Sequence, residues 1–152
     1  MSASTGVDTL NAIIAIALDG ASTLAKGADM VKDRRAQALF ATLAAERDGI
    51  VACLQAEVRS LGGVPEDRGT VVGSAHRLYA EVKSALAPND HRGVIDEIHR
   101  SEERVRDKFR ELLERDKELP RATRDLVERK FEQVRRSCLR VTDLRANDSA
   151  QS

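Results

Sequence analysis

Two glutamates, Glu46 and Glu102, are the residues of this sequence whose type and position could support chemistry. Each stands in a run of apolar residues that recurs at helical spacing, and the two lie in different halves of the chain. Carboxylates from separate helices are the ligands that iron and manganese use inside helical bundles. The pair is therefore a candidate metal site for iron or manganese.

The other ligands of such a centre are missing from the sequence. A di-iron carboxylate centre takes a glutamate from each of two helices and a Glu-x-x-His motif from each of two more. Gly49 and Val105 stand three residues after the two glutamates, and the chain contains no Glu-x-x-His. The first helix could add only Asp19. Because two carboxylates without imidazole hold a transition metal weakly, metal binding at Glu46 and Glu102 is the weaker hypothesis.

The stronger hypothesis treats both glutamates as polar residues at or inside the helix interfaces. Each would then pair with Arg47 or with an arginine of a neighbouring helix. Such pairs add little net stability but can set the register of packed helices.

Two further candidate sites have simpler explanations. Asp96, His99 and Glu103 recur at helical spacing and could ligate a metal, but arginines share their face, which favours a solvated surface. Residues 121–145 carry eight basic and four acidic side chains, which are spread around the helix and favour an ordinary solvated face over an acidic or nucleic-acid partner. Neither a nucleophile in a glycine-rich turn nor a phosphate-binding glycine loop is present.

The elements that must position these residues are all helical. Apolar periodicity and helix-breaking residues predict five helices, at about 5–26, 34–61, 70–86, 91–116 and 120–145, and no strand. Gly27 is expected to end the first helix. Gly62-Gly63 is expected to end the second helix, and Pro65 follows shortly after it. Gly20 and Gly49 lie inside helices, where close helix packing would explain them.

The order of these helices predicts a topology. Helices one and two form one hairpin and helices four and five another, and about 28 residues link the two. A link of that length can travel the ~40 Å of a long helix and return the chain to the far end. We therefore predict an all-α, ferritin-like four-helix bundle with a short additional helix in the crossover. Residues 1–152 form a single domain, with residues 1–4 and 147–152 as frayed tails.

The first predicted helix is apolar on more than one side, because Ile13 and Ile16 lie off its main stripe. Either the bundle encloses this helix, which we favour, or its outer face meets another subunit.

Composition excludes several classes of function. The 25 basic and 25 acidic residues give a formal net charge of zero, and aromatic residues make up 3 % of the chain. A nucleic-acid-binding protein would carry a basic excess and stacking aromatics.

Cys53 and Cys138 are too few for a disulfide framework and are predicted to be buried free thiols. The sequence starts without a signal peptide and holds no run long enough for a membrane span, which predicts a cytoplasmic protein.

Several segments resemble an uncharacterised bacterial family of four-helix-bundle domains in the ferritin-like superfamily. The matching segments are Leu18-Asp19-Gly20, residues 43–47 and 54–58, Leu61-Gly-Gly-x-Pro65, His76-Arg77, residues 83–86 and Ser101-Glu102-Glu103. The resemblance extends over about residues 7–145 and implies the fold, whereas the family has no settled biochemical activity.

These observations predict a non-enzymatic, cytoplasmic, ferritin-like bundle. It would act in a structural role or through protein association, as a homo-oligomer or with a protein partner, in a setting that includes stress. No cofactor, nucleic acid or membrane is expected. The alternative is a metal-binding or di-iron ferritin-like protein that uses Glu46 and Glu102 with iron or manganese.

Overall fold

The computed structural model of the chain describes residues 3–69 and 91–151. These residues form four α-helices and no β-strand: α1 (Ala3–Met30), α2 (Arg34–Ser60), α3 (His91–Arg115) and α4 (Arg121–Gln151). The prediction of an all-α bundle of four long helices is confirmed. The short helix predicted at residues 70–86, which includes His76, lies outside the described residues.

The bounds of α2 and α3 agree with the sequence pattern to within one residue. The Asp33 carboxylate accepts a hydrogen bond of 2.9 Å from the backbone N–H of Ala36 and so caps the start of α2. After α2, Gly62 has a φ of 86°, a left-handed conformation that glycine adopts without strain. Capping chemistry therefore accounts for both ends of α2.

Two predicted helix ends are wrong. Helix α1 continues past Gly27 to Met30, and Gly27 serves packing, because a side chain there would collide with Ile98. Helix α4 continues to Gln151, although residues 147–152 were expected to form a tail. The Asp148 carboxylate lies 2.8 Å from His91 Nε2 of α3, a tertiary contact that the local sequence does not reveal. At the other end, α1 already begins at Ala3.

The helices pack with one long crossover. Residues near the end of α1 meet the start of α3, since Gly27 lies against Ile98, and Gly6 near the start of α1 lies beside Leu119 just after α3. Helix α3 is therefore antiparallel to α1, as α2 is, so that α2 and α3 run parallel. The chain must travel the length of the bundle between them, as the sequence predicted.

The described part of this crossover runs along the outside of α1. The Asn11 side chain donates a hydrogen bond of 3.0 Å to the carbonyl of Val64 and accepts one of 2.7 Å from the N–H of Glu66. Three residues later, Gly69 lies directly against Asp19. The crossover thus advances along α1 toward the end of the bundle where α3 begins.

Helix α1 is the enclosed helix that we favoured. Ile13 and Ile16 are both buried, with 0 % and 9 % of their surface exposed. Contrary to the expectation that the chain holds no run of this length, the segment Gly6–Met30 is long and apolar enough to cross a membrane by length and composition, with a mean hydropathy of 1.3, and half of its most apolar window is buried in the bundle. A core helix satisfies the same criterion.

The core consists of two apolar clusters, one toward each end of the bundle. The larger contains Leu10, Ile13, Ile14, Leu54, Phe109 and Val127, and the smaller contains Leu24, Phe40, Leu43, Val94, Ile98 and Val141. Along each helix, the short stretch between the residues of the larger cluster and those of the smaller cluster places polar or very small residues at the same height in the bundle. This level, made of Gly20, Arg47 and Glu102, is called the polar layer below.

Candidate functional site

The polar layer is built around an ion pair between α2 and α3. Arg47 Nη2 donates a hydrogen bond of 2.7 Å to Glu102 Oε2. The side chains are 0 % and 1 % exposed, so both charges are removed from water. Removing one partner of such a pair leaves an uncompensated buried charge and costs about 3–5 kcal/mol.

Apolar neighbours on the same helices place these two charges inside the bundle. Arg47 lies on the buried face of α2 that also carries Leu43 and Leu54, and Glu102 lies on the buried face of α3 with Ile98 and Phe109. Residues at a spacing of three, four or seven share one side of a helix. Burying the apolar residues therefore carries the charged ones inward with them.

Gly20 of α1 makes room for the arginine. A Cβ atom at Gly20 would collide with Arg47 Nη1 and would lie 3.2 Å from Val105 Cγ2. The guanidinium group therefore lies directly against the backbone of α1, which is possible because this residue has no side chain. The close packing that the sequence predicted at Gly20 is confirmed.

The ion pair leaves part of its hydrogen-bonding capacity unused. Among the described residues, Arg47 Nε, Arg47 Nη1 and Glu102 Oε1 are buried and have no hydrogen-bond partner. Buried polar atoms are nearly always paired, and each unpaired one costs about 1–3 kcal/mol. The polar layer therefore contains two unused donors and one unused acceptor.

A buried thiol adjoins this layer on α4. Arg106 Nη1 donates to Cys138 Sγ over 3.5 Å. Burial raises the pKa of the Cys138 thiol; the positive charge of Arg106 opposes the shift, and the negative charge of Glu102 adds to it. Cys138 is thus a free, buried, neutral thiol, as predicted, whereas Cys53 is a free thiol that is half-buried.

Glu46 lies in a different environment from Glu102. Its side chain is 42 % exposed, and Oε2 accepts a hydrogen bond of 3.4 Å from Arg140 Nη1 on α4, whose side chain is 49 % exposed. Because Glu46 and Arg47 are consecutive, they point about 100° apart around α2. The arginine enters the core and the glutamate stays at its edge.

The other acidic and histidine candidates are spread over different contacts, and two of them lie together, since His99 Nδ1 is 3.7 Å from Glu103 Oε1. Asp19 lies against Gly69 of the crossover. Asp96 Oδ1 accepts a hydrogen bond of 2.8 Å from Arg145, and His99 Nε2 lies 3.0 Å from Thr142 Oγ1. In residues 3–69 and 91–151, no group of three or more His, Cys, Asp or Glu side chains is placed to hold a metal ion. Metal binding at Glu46 and Glu102 stays a prediction.

Gly49 differs from its expected role. Nothing lies within 4 Å of the position that its Cβ would occupy, so the prediction of close packing at this glycine is wrong. The residue is on the outer face of α2, pointing away from the core.

The role of Arg47 was the feature that the sequence showed least clearly. Arg47 occupies a position of the apolar stripe that would ordinarily hold an aliphatic residue. A single basic residue on a stripe of leucine and phenylalanine, seven residues from Phe40 and Leu54, is the signal that could have identified it.

Comparisons with known proteins agree with this architecture. The model of a domain of unknown function, DUF2383, matches residues 5–115, which is more than half of the chain. A solved structure of a Mycobacterium smegmatis Dps1 mutant superimposes with a TM-score of 0.72 at 15 % sequence identity, covering 93 % of this chain and 95 % of that one. At this identity the likeness shows the fold alone. No curated protein matches the sequence significantly. The chain therefore belongs to the DUF2383 family, a domain of unknown function, and has the ferritin-like fold.

Proposed function

We propose that this protein is a non-enzymatic helical bundle that acts in a structural role or through protein association. The observation that carries the proposal is the buried ion pair in the polar layer, where Glu102 is bound by Arg47 at 2.7 Å. The predicted cytoplasmic location and the stress setting belong to the same proposal.

The ion pair argues against a metal at the centre of the bundle. A ligating glutamate must offer its oxygens to a cation, and one oxygen of Glu102 already accepts a hydrogen bond from a guanidinium group. A divalent cation placed beside that guanidinium would be repelled by it in a region shielded from water. Both described histidines, which would complete a transition-metal site, instead lie at the interface of α3 and α4.

The outer face of α2 supports the association role. Opposite the core, this helix carries a row of small uncharged residues at a spacing of three and four: Ala38, Thr42, Ala45, Gly49, Ala52 and Ala56. A solvated helix face normally carries charged and long polar side chains, and a third of this chain is charged. Small side chains let the backbone of another helix approach closely. The row is therefore compatible with contact to a second copy or to a helix of another protein.

Metal analysis tests the non-enzymatic part of the proposal. Purified protein would be dialysed against Fe(II) without oxygen, or against Mn(II), and then analysed for bound metal. We expect far less than one metal ion per chain in the wild type and in the Glu46→Gln variant. One or more ions per wild-type chain, lost in a Glu46→Ala/Glu102→Ala variant, would overturn it. The wild-type measurement decides the matter even if the double variant does not fold.

Mass measurement in solution tests self-association. Light scattering coupled to size-exclusion chromatography, over a hundredfold range of concentration, should show a species larger than one chain. Ala52→Arg places a charge on the row of small residues and should shift that species toward the monomer. Ala122→Arg is the matched control, because Ala122 is an exposed alanine on α4. A wild-type protein that is monomeric throughout would contradict self-association.

A further inference from the structure

The unused atoms of the polar layer define what could bind there. Arg47 retains the N–H groups of two nitrogens, Nε and Nη1, and Glu102 retains one oxygen, all buried and without partners among the described residues. A ligand that satisfied them would accept a hydrogen bond from the arginine and donate one to the glutamate. It must therefore be both an acceptor and a donor.

Charge and size restrict the ligand further. The guanidinium and the carboxylate already neutralise each other, so an added anion or cation would be an uncompensated charge in a region that excludes water. The surroundings are close, because Arg47 Nη1 fills the position of a side chain at Gly20 and Val105 Cγ2 lies 3.2 Å from that position. The ligand must be neutral and no larger than a few atoms.

We infer that the polar layer binds a buried water molecule between Arg47 and Glu102. The water accepts a hydrogen bond from one unused nitrogen of Arg47 and donates one to Glu102 Oε1, the oxygen that the direct contact at Oε2 leaves without a partner. Buried waters in proteins typically make about three hydrogen bonds to polar groups that would otherwise be unsatisfied. The water thus adds a second connection between Arg47 and Glu102, and so between α2 and α3.

This inference rests on the same ion pair as the proposed function, and its test has a separate readout. Magnetic relaxation dispersion of oxygen-17 or deuterium counts waters that stay in a protein longer than nanoseconds. The Arg47→Met/Glu102→Leu variant replaces the buried pair with apolar side chains of similar size. We expect it to hold one long-lived water fewer than the wild type.

The matched control makes the same chemical change at the exposed pair. Glu46→Leu/Arg140→Met should leave the number of long-lived waters unchanged, because water already surrounds those side chains. Equal water counts in the wild type and in the Arg47→Met/Glu102→Leu variant would overturn the inference. The proposed function would still be judged by bound metal.

A high-resolution crystal structure of the wild type gives a second test that needs no variant. We expect a spherical density peak within ~2.7–3.2 Å of Glu102 Oε1 and of one unused Arg47 nitrogen. A structure in which Oε1 bonds directly to Arg47, with no such peak, would overturn the inference.

Discussion

Glu46 and Glu102 carry the same functional group on parallel helices, yet the fold treats them in opposite ways. The side chain of Glu46 is 42 % exposed and lies 3.4 Å from Arg140, whereas that of Glu102 is 1 % exposed and lies 2.7 Å from Arg47. Both are ion pairs, but water solvates only the first. An exposed pair contributes about 0–1 kcal/mol, whereas breaking a buried one costs several times more. Burial therefore decides how much a charge pair matters.

The difference also shows how the bundle balances a charge that it buries. A single arginine on the inner face of α2 supplies the positive charge that faces Glu102. A glycine on α1 supplies the space for it. The four helices pack around this pair with an apolar cluster on either side.

The largest expected effect comes from removing the buried arginine alone. Arg47→Met leaves the Glu102 carboxylate buried without its partner and should lower the free energy of unfolding by about 3–5 kcal/mol in urea denaturation. Adding Glu102→Leu to the Arg47→Met variant removes the unpaired charge and should recover most of the lost free energy of unfolding. Equal stability of the single and double variants would show that the unpaired Glu102 carboxylate carries no cost in stability.

Filling the space at Gly20 tests the third member of the polar layer. Gly20→Ala adds a methyl group where Arg47 Nη1 lies, and should destabilise the fold by about 1–3 kcal/mol despite the better helix propensity of alanine. In the Arg47→Met/Glu102→Leu background the same change should cost much less, because the guanidinium is gone. A double-mutant cycle measured by urea denaturation gives this coupling. A coupling energy of zero would contradict the contact.

The same glycine-to-alanine substitution at Gly49 should stabilise the protein, whereas at Gly20 it should destabilise it. Gly49→Ala points its methyl group into open space on the outer face of α2, so that only helix propensity changes. It should stabilise the protein by about 0.5–1 kcal/mol, seen as a higher midpoint in urea. A loss of stability, accompanied by a smaller mass in solution, would indicate that another chain packs against this residue.

The smallest effect is expected at the exposed pair. Glu46→Gln removes the charge that faces Arg140 and should change the free energy of unfolding by less than ~1 kcal/mol, and by still less in high salt. Urea denaturation at low and at high ionic strength measures both values. A loss as large as that of Arg47→Met would show that Glu46 is a core residue in solution.

Much of the fold could be predicted from the sequence because it depends on local patterns. The apolar spacing located α2 and α3, Gly62 marked the end of α2, and the long link between hairpins implied the parallel arrangement of α2 and α3. The errors occurred where a tertiary contact overrides a local signal. Gly27 is a helix terminator by type, but packing against Ile98 lets α1 continue through it.

The candidate site was predictable in composition but not in arrangement. The sequence alone identified Glu46, Glu102 and Arg47, and it showed that no Glu-x-x-His accompanies them. It could not decide whether Glu46 or the adjacent Arg47 faces the core, because consecutive residues point about 100° apart around a helix. Tertiary packing turned Arg47 inward, used the missing side chain of Gly20 to admit it, and left Glu46 to the solvent.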